Sequence, residues 1–209
     1  MSAQENVLVD VCCGPCAIPL EEVFSNLKIS NLKNSMKMSD VVFYLTNSNV
    51  HPFSEYVKRL QSIRQVSKHY KTEMIIDSYN PKEWMDYVKG FELEKEGRKR
   101  CELCYRFRLE KTAKYAKEYG FRKFTTTLTT GPSKQADIIN SIGKEFAEKY
   151  SLEFIELDLK RKGGFLRSIV MSKKLGLYRQ SYCGCMYSLR DSQSKPVRRS
   201  KALEKNLIN

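Results

Sequence analysis

Apolar residues along this chain come in short unbroken runs separated by longer amphipathic stretches. The clearest run is Val7-Leu8-Val9-Asp10-Val11, and Val41-Val42-Phe43-Tyr44-Leu45 repeats the pattern. Runs of this kind predict strands buried on both faces of a parallel sheet. Met74-Ile75-Ile76, Phe124 to Leu128 and Phe154 to Leu157 predict three more strands. Between them the spacing turns helical. Ile18, Leu20, Val23, Phe24 and Leu27 form one stripe, and a second helix runs from about Ser54 to Tyr70. Pro81 marks a helix start, with Trp84, Val88 and Phe91 on one face. Cys101 to Tyr119 predicts a long amphipathic helix stopped by Gly120, and Lys134 to Tyr150 another. Asn31 to Ser39 is a polar loop, and a basic loop, Lys160 to Phe165, precedes a further helix.

Strands alternating with helices predict an α/β fold: one domain with a mostly parallel, Rossmann-like sheet and helices on both faces. In such folds the ligand crevice, here a metal site, lies at the carboxyl ends of the strands. The domain is expected to span residues 1–192, with 193–209 a basic polar tail that is helical or frayed from Pro196. The 209 residues suffice for a real core without staples. Hydrophobic and charged fractions of 41% and 29% exclude a disordered or fibrous chain. No apolar run approaches the roughly 18 residues of a membrane span. Met1-Ser2-Ala3-Gln4-Glu5-Asn6 carries no secretory signal, so a cytoplasmic protein is expected.

Charge changes the picture first. Lys and Arg outnumber Asp and Glu by 37 to 24, and the net +13 points to a polyanionic partner. The seven cysteines change it more, because they are grouped: Cys12, Cys13 and Cys16; Cys101 and Cys104; Cys183 and Cys185. Cysteines three apart straddle about one helical turn, so both sulfurs can reach one metal. Two such groups make a thiolate site suited to zinc or an iron–sulfur cluster. Zinc ribbons space their pairs by about 15–20 residues. The wide separation here, and the adjacency of Cys12 and Cys13, favour a cluster. Cys183-Gly184-Cys185 reads either as a redox dithiol with a small strained ring or as two further metal ligands.

Three stretches resemble a known family. Val9 to Cys16, then Asn49-Val50-His51-Pro52 with Glu55-Tyr56, are similar to the first third of the QueH-type epoxyqueuosine reductases. Cys101-Glu102-Leu103-Cys104-Tyr105-Arg106-Phe107-Arg108-Leu109 is similar to the family's central motif. Lys162 to Ser168, Leu177 to Gln180 and Tyr182 to Ser188 are similar to its C-terminal signature. The resemblance implies an oxidoreductase that reduces epoxyqueuosine to queuosine at the wobble position of tRNA, the last step of queuosine synthesis. It implies a [4Fe–4S] cluster on Cys12, Cys13, Cys101 and Cys104, and a redox-active pair in Cys183 and Cys185. An additional mononuclear iron would sit beside the cluster, with Cys16 and Asp10 as its ligands. The external electron donor stays unnamed.

That substrate fits the charge, since neutralising tRNA phosphates needs Lys and Arg along one face. Arg98, Lys99, Arg100, Arg106 and Lys162 flank the cysteine groups and are the expected tRNA contacts; Arg108, Arg198 and Arg199 belong to the same basic set. Tyr178, Tyr182 and His51 are candidate proton donors, and Tyr105, Phe107 and Phe165 candidate stacking partners for a splayed base. Two other readings stand beside this one. A PP-loop tRNA thiolation enzyme would need a Ser-Gly-Gly phosphate loop after the first strand, where this chain has Cys12-Cys13-Gly14-Pro15-Cys16. A zinc-stabilised RNA-binding module would keep the basic surface without redox chemistry.

Overall fold

In the computed structural model, which describes residues 4–26 and 36–194, the apolar runs become the strands of one parallel sheet. They are β1 (Gln4–Asp10), β2 (Val41–Leu45), β3 (Glu73–Ile76), β4 (Phe121–Thr126) and β5 (Glu153–Phe154), in spatial order β3-β2-β1-β4-β5. The chain winds outward from β1 to β3, then returns to pair β4 with the other side of β1. The direction of winding therefore reverses between β1 and β4. That is the switch point at which open α/β sheets bind ligands.

The helices are α1 (Gly14–Ala17), α2 (Leu20–Asn26), α3 (Phe53–Tyr70), α4 (Pro81–Tyr87), α5 (Lys99–Glu118), α6 (Ala136–Tyr150), α7 (Gly164–Lys174) and α8 (Met186–Gln193). The two-residue period of β1 assigns its side chains to two cores. Val7, Val9 and Val11 pack with Leu20, Phe24, Ile63 and Val66 of α2 and α3. Leu8 faces the other way, among Leu109, Ala113, Ile139 and Phe146 of α5 and α6. By the same alternation Asp10 lies on the α5 side, fully buried.

Several boundaries differ from the sequence expectation, each for a local reason. The first helical stripe is two helices, broken around Pro19; Leu27 and most of the expected Asn31 to Ser39 loop lie outside the described residues. β4 ends at Thr126 because the Thr126 hydroxyl accepts the Leu128 N–H at 3.1 Å, and Leu128–Thr130 coils into a 3-10 turn. With β4 gone, β5 loses its partner after Ile155, whose N–H makes a last bond to the Phe124 carbonyl at 3.0 Å. Leu157 and Leu159 then drop into the core as loop residues. Helix α8 had no counterpart in the apolar pattern. The tail from Pro196, with Arg198 and Arg199, lies outside the described residues. Among the described residues no helix is long and apolar enough to cross a membrane.

Candidate metal centre

The backbone leaving β1 places the first three cysteines. Cys13 is extended (φ −167°, ψ 160°) and caps α1, which Gly14 and Pro15 begin. Gly14 lets this turn lie directly on α3: a Cβ there would come within 2.5 Å of the Ser62 carbonyl oxygen. The resulting one-turn helix gathers the sulfurs of Cys12, Cys13 and Cys16 within 4.8 Å of one another. Cys12 and Cys13 Sγ are 3.9 Å apart, and the Gln180 amide donates to Cys13 Sγ at 3.2 Å. From β4, Thr127 Oγ1 accepts the Cys12 N–H at 3.2 Å, pinning the loop across the switch point.

Three thiols this close do not ionise alike. The Cys12 thiol is held well below its ordinary value by its hydrogen-bond contacts with Cys13 and Cys16, with Arg108 and Arg59 adding positive charge. Burial pushes Cys13 up to about 12, and its two neighbours push Cys16 up as well. A metal cation reverses that cost by taking the sulfurs as thiolates. This close, buried, sulfur-only donor set fits a thiophilic metal centre.

Helix α5 brings the second pair. Cys104 lines a cavity of about 320 Å³ together with Cys12, Cys16 and Cys183. Cys101, one turn earlier, is buried at the helix start and accepts the Gly97 N–H at 3.2 Å. Burial raises the thiol of Cys101 and pushes that of Cys104 up to about 12.

One turn beyond Cys104, Arg108 ties this helix to the cysteine loop. Its guanidinium donates to both oxygens of Asp10 (2.5 and 3.3 Å), to Asn47 and Asn49 Oδ1 (2.5 and 3.0 Å) and to the Val11 carbonyl (3.2 Å). The strand ends of β1 and β2 and the middle of α5 are thus joined by one side chain. Thr126 donates to Asp10 Oδ2 at 2.8 Å. Both oxygens of Asp10 are therefore committed to Arg108 and Thr126. Asp10, expected as a ligand beside Cys16, thus sits in a buried ion pair with Arg108.

The third group is held from outside. Gly184 takes φ +134°, a backbone region that suits glycine, and its carbonyl accepts the His51 N–H at 2.8 Å. Arg59, fixed by Glu55 at 2.8 Å, donates to the Cys183 and Tyr182 carbonyls at 2.9 and 3.1 Å. Cys183 faces the cavity, whereas Cys185 caps α8 and is buried beside Trp84, Val88 and Phe107.

The family model described as epoxyqueuosine reductase QueH matches residues 7–191. The chain belongs to the QueH family. A curated relative from Thermotoga maritima, named epoxyqueuosine reductase QueH, is 35% identical over 192 residues, covering 90% of this chain and 93% of its own. Relatives of the same name from Streptococcus pyogenes serotype M1 and Haemophilus influenzae are 33% and 35% identical, over 90% and 89% of this chain and 71% and 72% of theirs.

Within this QueH chain the expected tRNA contacts divide. Arg98 and Lys162 are exposed, Lys99 pairs with Glu102 at 3.0 Å, and Arg106 forms a forked ion pair with Glu145. Arg100 is a correction. It is 1% exposed, and its guanidinium donates to the Glu92 and Glu94 carbonyls inside the segment before α5. Arg108, at the same exposure, leaves the basic surface too. Tyr105 and Phe165 line the cavity, while Phe107 belongs to the core behind Cys185. Tyr182 donates to the His51 carbonyl, and Tyr178 to Glu55 Oε2 at 2.5 Å; burial pushes both phenols up to about 12.

Sequence reasoning missed Arg59, Gln180 as a sulfur partner, and Lys134, whose Nζ donates to Cys183 Sγ at 2.9 Å. Arg59 carried a weak signal, since Glu55 precedes it by four residues on one helix.

Proposed function

We propose that this chain reduces epoxyqueuosine to queuosine in tRNA, using an iron–sulfur centre and a redox-active dithiol. One observation supports the reading most: cysteines from three separate segments line a single cavity at the switch point of the sheet. Cys12, Cys13, Cys101 and Cys104 would hold the [4Fe–4S] cluster, and Cys16 remains for an adjacent iron. When bound, such a cluster supplies single electrons, and a neighbouring iron supplies a Lewis acid for the epoxide oxygen.

The chain's own residues do the rest. Converting an epoxide to an alkene and water takes two electrons and two protons. Closing Cys183 and Cys185 to a disulfide releases the same numbers, so the pair balances the reaction, and an external reductant reopens it. Tyr105 and Phe165 offer flat faces to a base splayed from its loop. Gln180, donating to Cys13 Sγ, would raise the potential of a bound centre, because a hydrogen bond to a ligand sulfur stabilises the reduced, more electron-rich form. Arg98 and Lys162, both exposed, are the basic groups offered to the tRNA backbone.

The test is anaerobic incubation of the protein with tRNA carrying epoxyqueuosine and an excess of chemical reductant, followed by nucleoside analysis. Queuosine should accumulate beyond one equivalent per protein; none after full metal loading would overturn the reading.

A second reading has an observation of its own. Sulfurs within 4.8 Å of each other also suit one tetrahedral ion, whose ligands at about 2.3 Å place sulfurs about 3.8 Å apart. A colourless protein holding zinc and no acid-labile sulfide would favour that reading over the cluster.

A further inference from the structure

Among the described residues, Lys134 is the one whose charged side chain hydrogen-bonds a cysteine sulfur. It follows the Gly131-Pro132 turn beyond β4, and its Nζ lies 2.9 Å from Cys183 Sγ and 5.3 Å from the centre of the Tyr105 ring. We propose that Lys134 is a positioning residue that makes Cys183 the reacting sulfur of the Cys183/Cys185 pair and leaves Cys185 as the resolving one. The proposal rests on the dithiol reading above and adds an order to it.

The lysine is well anchored for this task. Its N–H donates to the Gly131 carbonyl at 3.1 Å, and its own carbonyl accepts from Lys160 Nζ at 2.5 Å. Its stem crosses Gly131 so closely that a Cβ there would come within 2.9 Å of Lys134 Cγ. Burial disfavours the ammonium, but the Cys183 sulfur and Tyr105 more than offset this, and the group stays charged. No carboxylate among the described residues forms an ion pair with it, so its hydrogen bond goes to sulfur.

The two sulfurs are unequal in access as well as in hydrogen-bond partner. Cys183 opens onto the cavity; Cys185 is buried, with the Ser188 N–H directed at its sulfur at 3.4 Å. A charge-assisted hydrogen bond is about twice as strong as a neutral one, and this one holds the Cys183 sulfur at the cavity wall. In the step this serves, the S–H bonds of Cys183 and Cys185 break and one S–S bond forms. The two electrons and two protons released match those taken up as the epoxide becomes an alkene and water. A dithiol reductant then restores both thiols.

Limited alkylation reads the order directly. The metal-loaded protein, reduced and desalted under anaerobic conditions, is treated at neutral pH with limiting iodoacetamide, and each cysteine is quantified by peptide mapping. Cys183 should react before Cys185. Lys134→Met should slow Cys183 by about tenfold, with the Cys185 rate and the iron and sulfide content unchanged. Lys134→Arg should keep most of the wild-type rate, and Lys134→Gln serves if the Met variant does not fold. An unchanged Cys183 rate in the Met or Gln variant would overturn the proposal while leaving the dithiol reading standing. Wild-type multiple turnover by Cys183→Ser would remove the dithiol reading and the proposal together.

Discussion

Cys12, Cys13 and Cys16 are placed by the backbone that carries them, whereas Cys183 is placed by groups from distant segments. The first group needs only the end of β1, an extended Cys13 and a one-turn helix to bring its sulfurs within 4.8 Å. The other depends on Arg59 from α3, the backbone N–H of His51 and the ammonium of Lys134. A metal centre wants rigid donors that do not move between states. A dithiol that opens and closes needs a backbone that tolerates two arrangements, and a glycine between the sulfurs with partners outside the loop supplies one. The difference in construction thus follows the difference in proposed chemistry.

The comparison breaks most severely at Arg108, which joins the rigid loop to α5. Arg108→Met leaves Asp10 buried without its cation, and removing one partner of a buried pair costs about 3–5 kcal/mol. For a chain of this size that is a fall in Tm of roughly 10 °C, read by thermal unfolding. Arg108→Met with Asp10→Asn should recover part of the loss, since the buried charge is gone. Gly184→Ala strikes the borrowed site instead. At φ +134° a Cβ is strained and would come within 2.9 Å of Arg59 Nη1. About 1–3 kcal/mol of stability should go, and turnover should fall while iron and sulfide stay at wild-type levels. Equal losses of metal in this variant would show that the two sites are not separable.

Legibility in the sequence followed the same division. The strands, the α/β class and the first two cysteine groups could be read because apolar runs, helical spacing and Cys-x-x-Cys are local patterns. The Cys183 environment could not, because Lys134 and Arg59 reach it from 49 and 124 residues away. Asp10 and Arg100 share a feature that spacing hides. Spacing reveals that a charged residue stands near a cysteine, but not that burial has already committed it to an ion pair or to backbone carbonyls. The end of β4 was misplaced because Thr126 caps its own turn with a side-chain bond, a competition that a β-branched run conceals.

Two smaller effects sharpen the picture. Replacing Arg98 and Lys99 by Gln should lower the salt slope of tRNA binding by no more than about 1.4, at ~0.7 per phosphate contact, because Arg100 is buried. An unchanged slope would place that face away from the RNA. His51 links the two regions through its backbone bond to Gly184, and burial holds its imidazole below the ordinary 6.5 despite the Asn49 carbonyl. A depressed value means that the unfolded chain binds the proton more readily. Its contribution to stability is therefore full above pH 6.5 and lost as pH falls through the folded value. Melting curves between pH 7 and 5 should show this loss in the wild type and a flatter profile in His51→Gln.

The proposed iron–sulfur centre draws its ligands from both the β1 loop and α5. The direct measurement is iron and acid-labile sulfide per protein, made anaerobically on the wild type, Cys12→Ser and Cys104→Ser. About four sulfides are expected in the wild type, with a sharp loss of both iron and sulfide in either variant. Wild-type iron and sulfide in Cys104→Ser would contradict this proposal, because α5 would then contribute no essential ligand.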